Sequence, residues 1–217
     1  MNVQILRNEL QHVLSGKSAV RFGRTLQSIT GYLGNSQGTS GAFEEQKLFK
    51  KQEEERLISF ITTHRLWLNN IDFSQYVSEG AEQRVYLKDT RHVIKLNDAI
   101  YYRCWLDYFQ NLLLHNYFFQ DTAYEILGFT LDGNQLYCAV QQNFVATTEI
   151  TDILHVKAFM SANGFRNNRN NDYIQDELGI IIEDLHDENV LTKNGILYFI
   201  DTVFYITPQF WQPSFSF

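Results

Sequence analysis

Ile180-Ile181-Ile182-Glu183-Asp184-Leu185-His186-Asp187-Glu188-Asn189-Val190-Leu191, followed by Tyr198-Phe199-Ile200-Asp201, decides the reading of this chain. Between the two runs lies Asn194-Gly195, a strong two-residue hairpin signal, because both central residues of a type I′ turn need φ > 0. Pairing Lys193 with Ile196 and counting outward puts Asn189 opposite Ile200, next to Asp201, with Asp184 just upstream. Strand alternation points Asn189 and Asp201 to opposite faces, so at least one of them must lie where the chain has left the regular ladder. A buried apolar hairpin has no structural need for three such polar groups at its rim. Together they are candidates to grip metal and phosphate.

The Asp-x4-Asn spacing followed by a strand-borne Asp resembles the catalytic and metal-binding segments of the protein-kinase-like superfamily. The resemblance implies that Asp184 orients or deprotonates an acceptor hydroxyl, while Asn189 and Asp201 hold magnesium on the phosphates of ATP. An ordinary protein kinase it does not resemble: Ile182-Glu183 stands where His-Arg is usual, and Thr202-Val203 where Phe-Gly is usual. His186, in Asp-Leu-His, is similar to the pattern of aminoglycoside phosphotransferases and other small-molecule kinases. The whole run Asp184 to Leu191 most resembles the kinase-like domain of polyvalent proteins carried by bacterial mobile elements and phages.

The chain has 217 residues with 17 Phe and 12 Tyr and is 44% hydrophobic, enough for an aromatic-rich core rather than global disorder. A net charge of −7 argues against an electrostatic grip on nucleic acid. It does not argue against ATP, because magnesium carries the positive charge that phosphates need. Cys104 and Cys138 are too few for a disulfide framework and lack metal-ligand spacing; two buried thiols in a reducing cytoplasm are expected. The start Met1-Asn2-Val3-Gln4 lacks a signal-peptide apolar region, and no run reaches the length of a membrane span.

Helical spacing of Val3, Leu6, Leu10 and Val13 predicts a helix over 3–14. Gly31 to Ala42 reads as a flexible loop, and Glu44 to His64 as a charged helix with Leu48, Phe49, Glu53, Leu57 and Phe60 on one packed side. Gly16-Lys17-Ser18 ends like a P-loop, but Gln11 stands where the upstream glycine is required. From residue 70 the pattern turns to strands: Gln75–Ser78, Arg84–Lys88 and His92–Leu96, then a helix over Ala99–Asn116 with Ile100, Cys104, Tyr108 and Leu112 as its stripe. Strands at Leu127–Leu131 and Gln135–Val140 flank the hairpin signal Asp132-Gly133, and Thr148–Asn163 reads as helix. Three strands, a helix and two strands, over the part before Thr148, is the order of a kinase N-terminal lobe. The expected fold is therefore α+β, a compact two-lobed kinase-like fold with an antiparallel N-lobe sheet and a truncated C-lobe. Its expected divisions are a helical extension over 1–65, the N-lobe over 66–143 and the small C-lobe over 144–217.

Ser78 to Leu87 resembles the glycine-rich loop over the nucleotide phosphates, but keeps only Gly80 of three glycines. Lys95, in Val93-Ile94-Lys95-Leu96, either snorkels from an edge strand or is the lysine that holds the α/β-phosphates. Such a lysine pairs with a helix Glu in kinases; the predicted helix has no Glu, and Asp107 is its candidate replacement. Gln142, in Gln141-Gln142-Asn143-Phe144, falls where kinases place the hinge to adenine. Asn163 to Asp172, with Arg166 and Arg169, is either a solvated loop or a cationic acceptor surface. The aromatic run Phe204 to Trp211 either packs back on the core or covers a partner. Sixteen residues follow Asp201, from which no large peptide-docking lobe is expected.

Two functions fit. One is ATP- and Mg2+-dependent transfer of the γ-phosphate to a hydroxyl on a small molecule or a protein, through Asp184 and Lys95. The other is a catalytically degenerate nucleotide-binding or protein-interaction module, a pseudokinase.

Overall fold

The computed structural model describes residues 2–34, 43–68, 73–80 and 83–212. The chain opens with α1 (Val3–Leu14), α2 (Gly23–Gly34) and α3 (Phe43–Thr63). Helix α1 starts where the Asn2 side chain accepts from the amides of Gln4 and Ile5, relieving two of its unpaired N–H groups. It stops at Gly16, φ +75°, where the amides of Gly16 and Lys17 return to the carbonyls of Val13 and His12. Gly16-Lys17 is thus a helix stop, which explains its P-loop-like look. Against the expected loop, Gly31–Gly34 finish α2: the stripe Leu26, Ile29, Leu33 is buried, and that packing outweighs glycine's poor helix propensity. Residues 35–42 of the expected loop lie outside the described residues. In α3, Glu53, Leu57 and Phe60 are buried as expected, but Leu48 is 58% exposed. One residue from Phe49 is about 100° around a helix, so the two cannot share a face.

A five-stranded antiparallel sheet follows, in the order β1 (Tyr76–Glu79), β2 (Gln83–Leu87), β3 (His92–Asn97), β5 (Gln135–Asn143), β4 (Glu125–Asp132). Between β3 and β4 runs α4 (Trp105–Phe118), which starts six residues later than its periodicity predicts. Ala99 takes φ 55° and Ile100 is 64% exposed, because other bonds claim this stretch. Asn97 accepts from the Ala99 amide, and the Lys50 ammonium donates to the carbonyls of Ala99 and Tyr102 at 2.6 and 3.0 Å. The start of α4 is capped from outside: the buried Glu53 carboxylate accepts from the amides of Trp105 and Leu106 at 2.6 and 3.2 Å.

Helix α5 is Ile153–Ala162, shorter than expected. Asp152 caps it, while Thr148 and Glu149 accept from the amides of Asn194 and Gly195. The predicted loop over Asn163–Asp172 contains β6 (Arg166–Arg169), which turns at Asn170, φ 47°, into β7 (Asp172–Gln175). Arg166 is ion-paired with Asp176. With β8 (Ile180–Glu183) and β11 (Val203–Ile206) these strands make a second antiparallel sheet, β11-β8-β7-β6, and β9 (Val190–Lys193) with β10 (Ile196–Phe199) makes the hairpin. The closing aromatic run packs back: Phe204 and Phe210 are buried. Gly179, φ +74°, lets it approach, since a Cβ there would stand 2.7 Å from the Phe210 nitrogen.

Among the described residues this is a mixed fold of five α-helices and three antiparallel sheets, with one large core centred on α4. Both cysteines are buried free thiols, and burial pushes the Cys104 thiol up to about 12. No helix among the described residues is long and apolar enough to cross a membrane.

Candidate active site

The Asn194-Gly195 turn has φ of 51° and 75°, the left-handed pair that type I′ requires. Register follows as counted, Lys193 with Ile196 through Val190 with Phe199. One step further, the Ile200 amide donates to the Asn189 carbonyl at 2.9 Å. Strand β8 pairs with β11 from Glu183↔Val203 onward. Asp184, leaving β8, and Asp201, preceding β11, therefore lie at the same end of the second sheet.

Asp184 takes φ 67°, tolerable for Asp where a local hydrogen bond supports it; its amide donates to the Asp172 carboxylate at 3.1 Å. Asn189 closes the loop from the other side. Its Nδ2 donates to the Asp184 carbonyl and to Asp184 Oδ2, both at 2.9 Å. With both amide hydrogens used, the Asn189 Oδ1 is left without a hydrogen-bond partner among the described residues. His186 Nδ1 accepts from the Glu188 amide, so its Nε2 carries the hydrogen, and Nε2 stands 3.3 Å from Asp184 Oδ1.

Lys95 is 3% exposed. Its strand is flanked by β2 and β5, so it is not an edge lysine. Nζ donates to the Ile200 carbonyl at 2.9 Å, lies 3.6 Å from Asp201 Oδ2 and sits over the Tyr124 ring at 5.4 Å. Burial lowers its pKa, and the Asp201 charge opposes that shift. Tyr124 Oη donates to the same Ile200 carbonyl at 2.6 Å. On the far side, the Gln83 carboxamide donates to Asp201 Oδ2.

The expected pairing of Lys95 with Asp107 is not formed: Asp107 binds Arg103, which precedes α4, at 2.7 Å. Helix α4 reaches the site through neutral groups instead. His115 Nδ1 meets the Thr202 hydroxyl at 2.7 Å and Nε2 the Thr122 carbonyl at 3.0 Å. Burial drives the His115 pKa down to about 3, so it donates at Nε2 and accepts at Nδ1 as a neutral ring. Asn111 accepts from the Phe204 amide at 2.8 Å. Gln142 is buried and donates to the Thr122 carbonyl at 2.7 Å. The Gly80 amide donates to the Gln83 carbonyl at 3.0 Å; Ala81 and Glu82 lie outside the described residues.

The structure thus gathers Lys95, Asp201, Asn189 and Asp184 around Ile200, and sends Asp107 elsewhere. Sequence reasoning missed Gln83, Asn111, His115 and Tyr124. A signal existed for two of them, since Asn111 and His115 flank the apolar run Leu112-Leu113-Leu114.

Oxygen donors of this kind, a carboxylate and a carboxamide oxygen, suit a hard divalent cation such as Mg2+, which completes its shell with phosphate oxygens and water. No group of three or more His, Cys, Asp or Glu that could hold a metal occurs among the described residues. Residues 50–208 match the model of a family described as a serine/threonine/tyrosine kinase found in polyvalent proteins. No curated protein and no solved structure matches the chain.

Proposed function

The chain belongs to the kinase family found in polyvalent proteins, and from that premise we propose that it transfers the γ-phosphoryl group of ATP, with Mg2+, to a hydroxyl acceptor. The observation that carries this reading is the contact of the buried Lys95 ammonium with the Ile200-Asp201 segment. The buried ammonium beside Asp201 is placed to receive phosphate oxygens, and Asp201, with a third of its side chain exposed, is open to a cation. Asn189 Oδ1 and an Asp201 carboxylate oxygen would hold Mg2+. When bound, the cation neutralises charge on the phosphates.

Asp184 is the residue that addresses the acceptor. Its carboxylate is exposed and is braced by Asn189 Nδ2 and His186 Nε2, so its orientation is set before an acceptor arrives. There it accepts the hydroxyl hydrogen and aligns the attacking oxygen. Catalysis in this reading is positioning and charge stabilisation, with no covalent intermediate. We take residues 66–143, with Gly80, Lys95 and the Gln142 segment, as the lobe over the nucleotide, and 144–217 as the lobe carrying Asp184. The family description makes Ser, Thr or Tyr hydroxyls on a specific partner the first acceptors to test, beside small hydroxyl compounds.

A pseudokinase is the second reading, favoured by the Asp107–Arg103 pair, which leaves Lys95 without the helix carboxylate of active kinases. Incubation with γ-labelled ATP and Mg2+, against a partner-peptide set and a panel of hydroxyl metabolites, separates the two. Label transfer lost in Asp184→Asn supports the kinase. Nucleotide binding without transfer to any acceptor or to water supports the pseudokinase.

A further inference from the structure

Gln83 does something the glycine-loop pattern does not provide for. Taking Gly80 as the second glycine of G-x-G-x-x-G puts Gln83 at the third, a place normally without a side chain. It is the first residue of β2, paired with Asn97. Its backbone carbonyl accepts from the Gly80 amide at 3.0 Å. Its carboxamide crosses to Asp201 and donates to Oδ2, the same oxygen that faces the Lys95 ammonium at 3.6 Å. The oxygen thus meets two donors, each presenting positive charge, which is the electrostatic place of a cation.

We propose that Gln83 is a latch on Asp201: in the nucleotide-free protein its carboxamide occupies the carboxylate oxygen that a divalent cation takes, and loading requires Gln83 to let go. The inference rests on Asp201 as a metal ligand. Gln83 suits the task because it is neutral: an N–H donor competes with a cation for a lone pair without the permanence of an ion pair. The same residue is bonded through its backbone carbonyl to the Gly80 amide, so a nucleotide that takes that amide also bears on the carboxamide. Metal entry is thereby coupled to nucleotide entry, and free cation is held off.

The test is a Mn2+ titration of the full nucleotide-free chain, followed by electron paramagnetic resonance, for wild type, Gln83→Ala, Gln83→Met and Asp201→Ala. Met keeps the length of the side chain without its donor, and serves if the alanine variant does not fold. Removing a hydrogen bond to a charged group should tighten Mn2+ binding about tenfold or more, and the gain should vanish when Asp201→Ala is added. Folding damage would weaken binding, so tightening is a readout a structural role does not give. Unchanged or weaker binding in the donor-less variants, with binding still lost in Asp201→Ala, overturns the latch alone. Mn2+ binding indifferent to Asp201→Ala overturns the metal-ligand reading and the latch with it.

Discussion

Lys95 and Asp201 meet across two sheets: the ammonium on β3 lies 3.6 Å from the carboxylate that precedes β11 and donates to the carbonyl just before it. Nearly all of Lys95 is buried, and a buried ammonium without partners is costly, so this contact fixes how the first sheet sits over the β9–β10 hairpin. The proposed roles divide at this contact: Lys95 and Asp201 towards nucleotide, Asp184 towards the acceptor.

Asp184→Asn keeps one oxygen that accepts from Asn189 or His186, turns the other into an NH2 donor, and loses the charge that accepts a proton. It should leave Mg2+·ATP affinity near wild type and lower phosphoryl transfer by about 10²–10⁴-fold. Lys95→Met should instead weaken nucleotide binding by about tenfold or more. Calorimetry beside a label-transfer assay separates the two, and equal loss of affinity in both folded variants would contradict the assigned roles.

His115 is buried and neutral, with its folded pKa lowered to about 3 from 6.5. An unfolded chain binds the proton more tightly, so the stability it contributes is present above pH 6.5 and is lost as pH falls towards 3. The limiting slope is ~1.4 kcal/mol per pH unit. Urea unfolding from pH 7 to 4 should show this slope in wild type and a shallower one in His115→Ala. That variant should also lose about 2–4 kcal/mol at pH 7, from the cavity and the unpaired Thr202 hydroxyl. Parallel pH curves would contradict the neutral-ring bridge.

How far the site could be read beforehand follows from these contacts. The hairpin was legible because Asn194-Gly195 leaves one turn type and one register, and register carries Asn189 to Ile200. Lys95 was legible as a charge among apolar strand residues. Its partner was not, because Asp201 is brought to it only by the packing of one sheet over the other. The late start of α4 was hidden for a like reason: the apolar stripe from Ile100 continues the helical period, while the cap at Trp105 comes from Glu53 on another helix. Gly31–Gly34 misled through composition, since burial of Leu33 holds residues that would otherwise unwind.

Glu53 caps α4 from outside, and burial raises its pKa above 4.5 although the two amide bonds oppose the shift. Glu53→Ala should cost about 1–3 kcal/mol by orphaning the amides of Trp105 and Leu106. A raised folded pKa means that the proton-linked stability is full below pH 4.5 and is lost as pH rises through the folded value. Glu53→Gln does not titrate, so its stability relative to wild type should improve as pH rises from 4.5 to 7. Chemical denaturation of the three proteins across that range checks this; a constant difference between wild type and Glu53→Gln would contradict it.

The account stands on a Mg2+-dependent nucleotide site built by Lys95, Asn189 and Asp201. Calorimetric titration of the chain with ATP, in Mg2+ and in chelator, for wild type and Asp201→Ala, tests that most directly. It predicts binding in Mg2+ that weakens in chelator, and a much smaller Mg2+ effect in Asp201→Ala. Absence of heat at millimolar Mg2+·ATP, or a Mg2+ effect of the same size in folded Asp201→Ala, would contradict it.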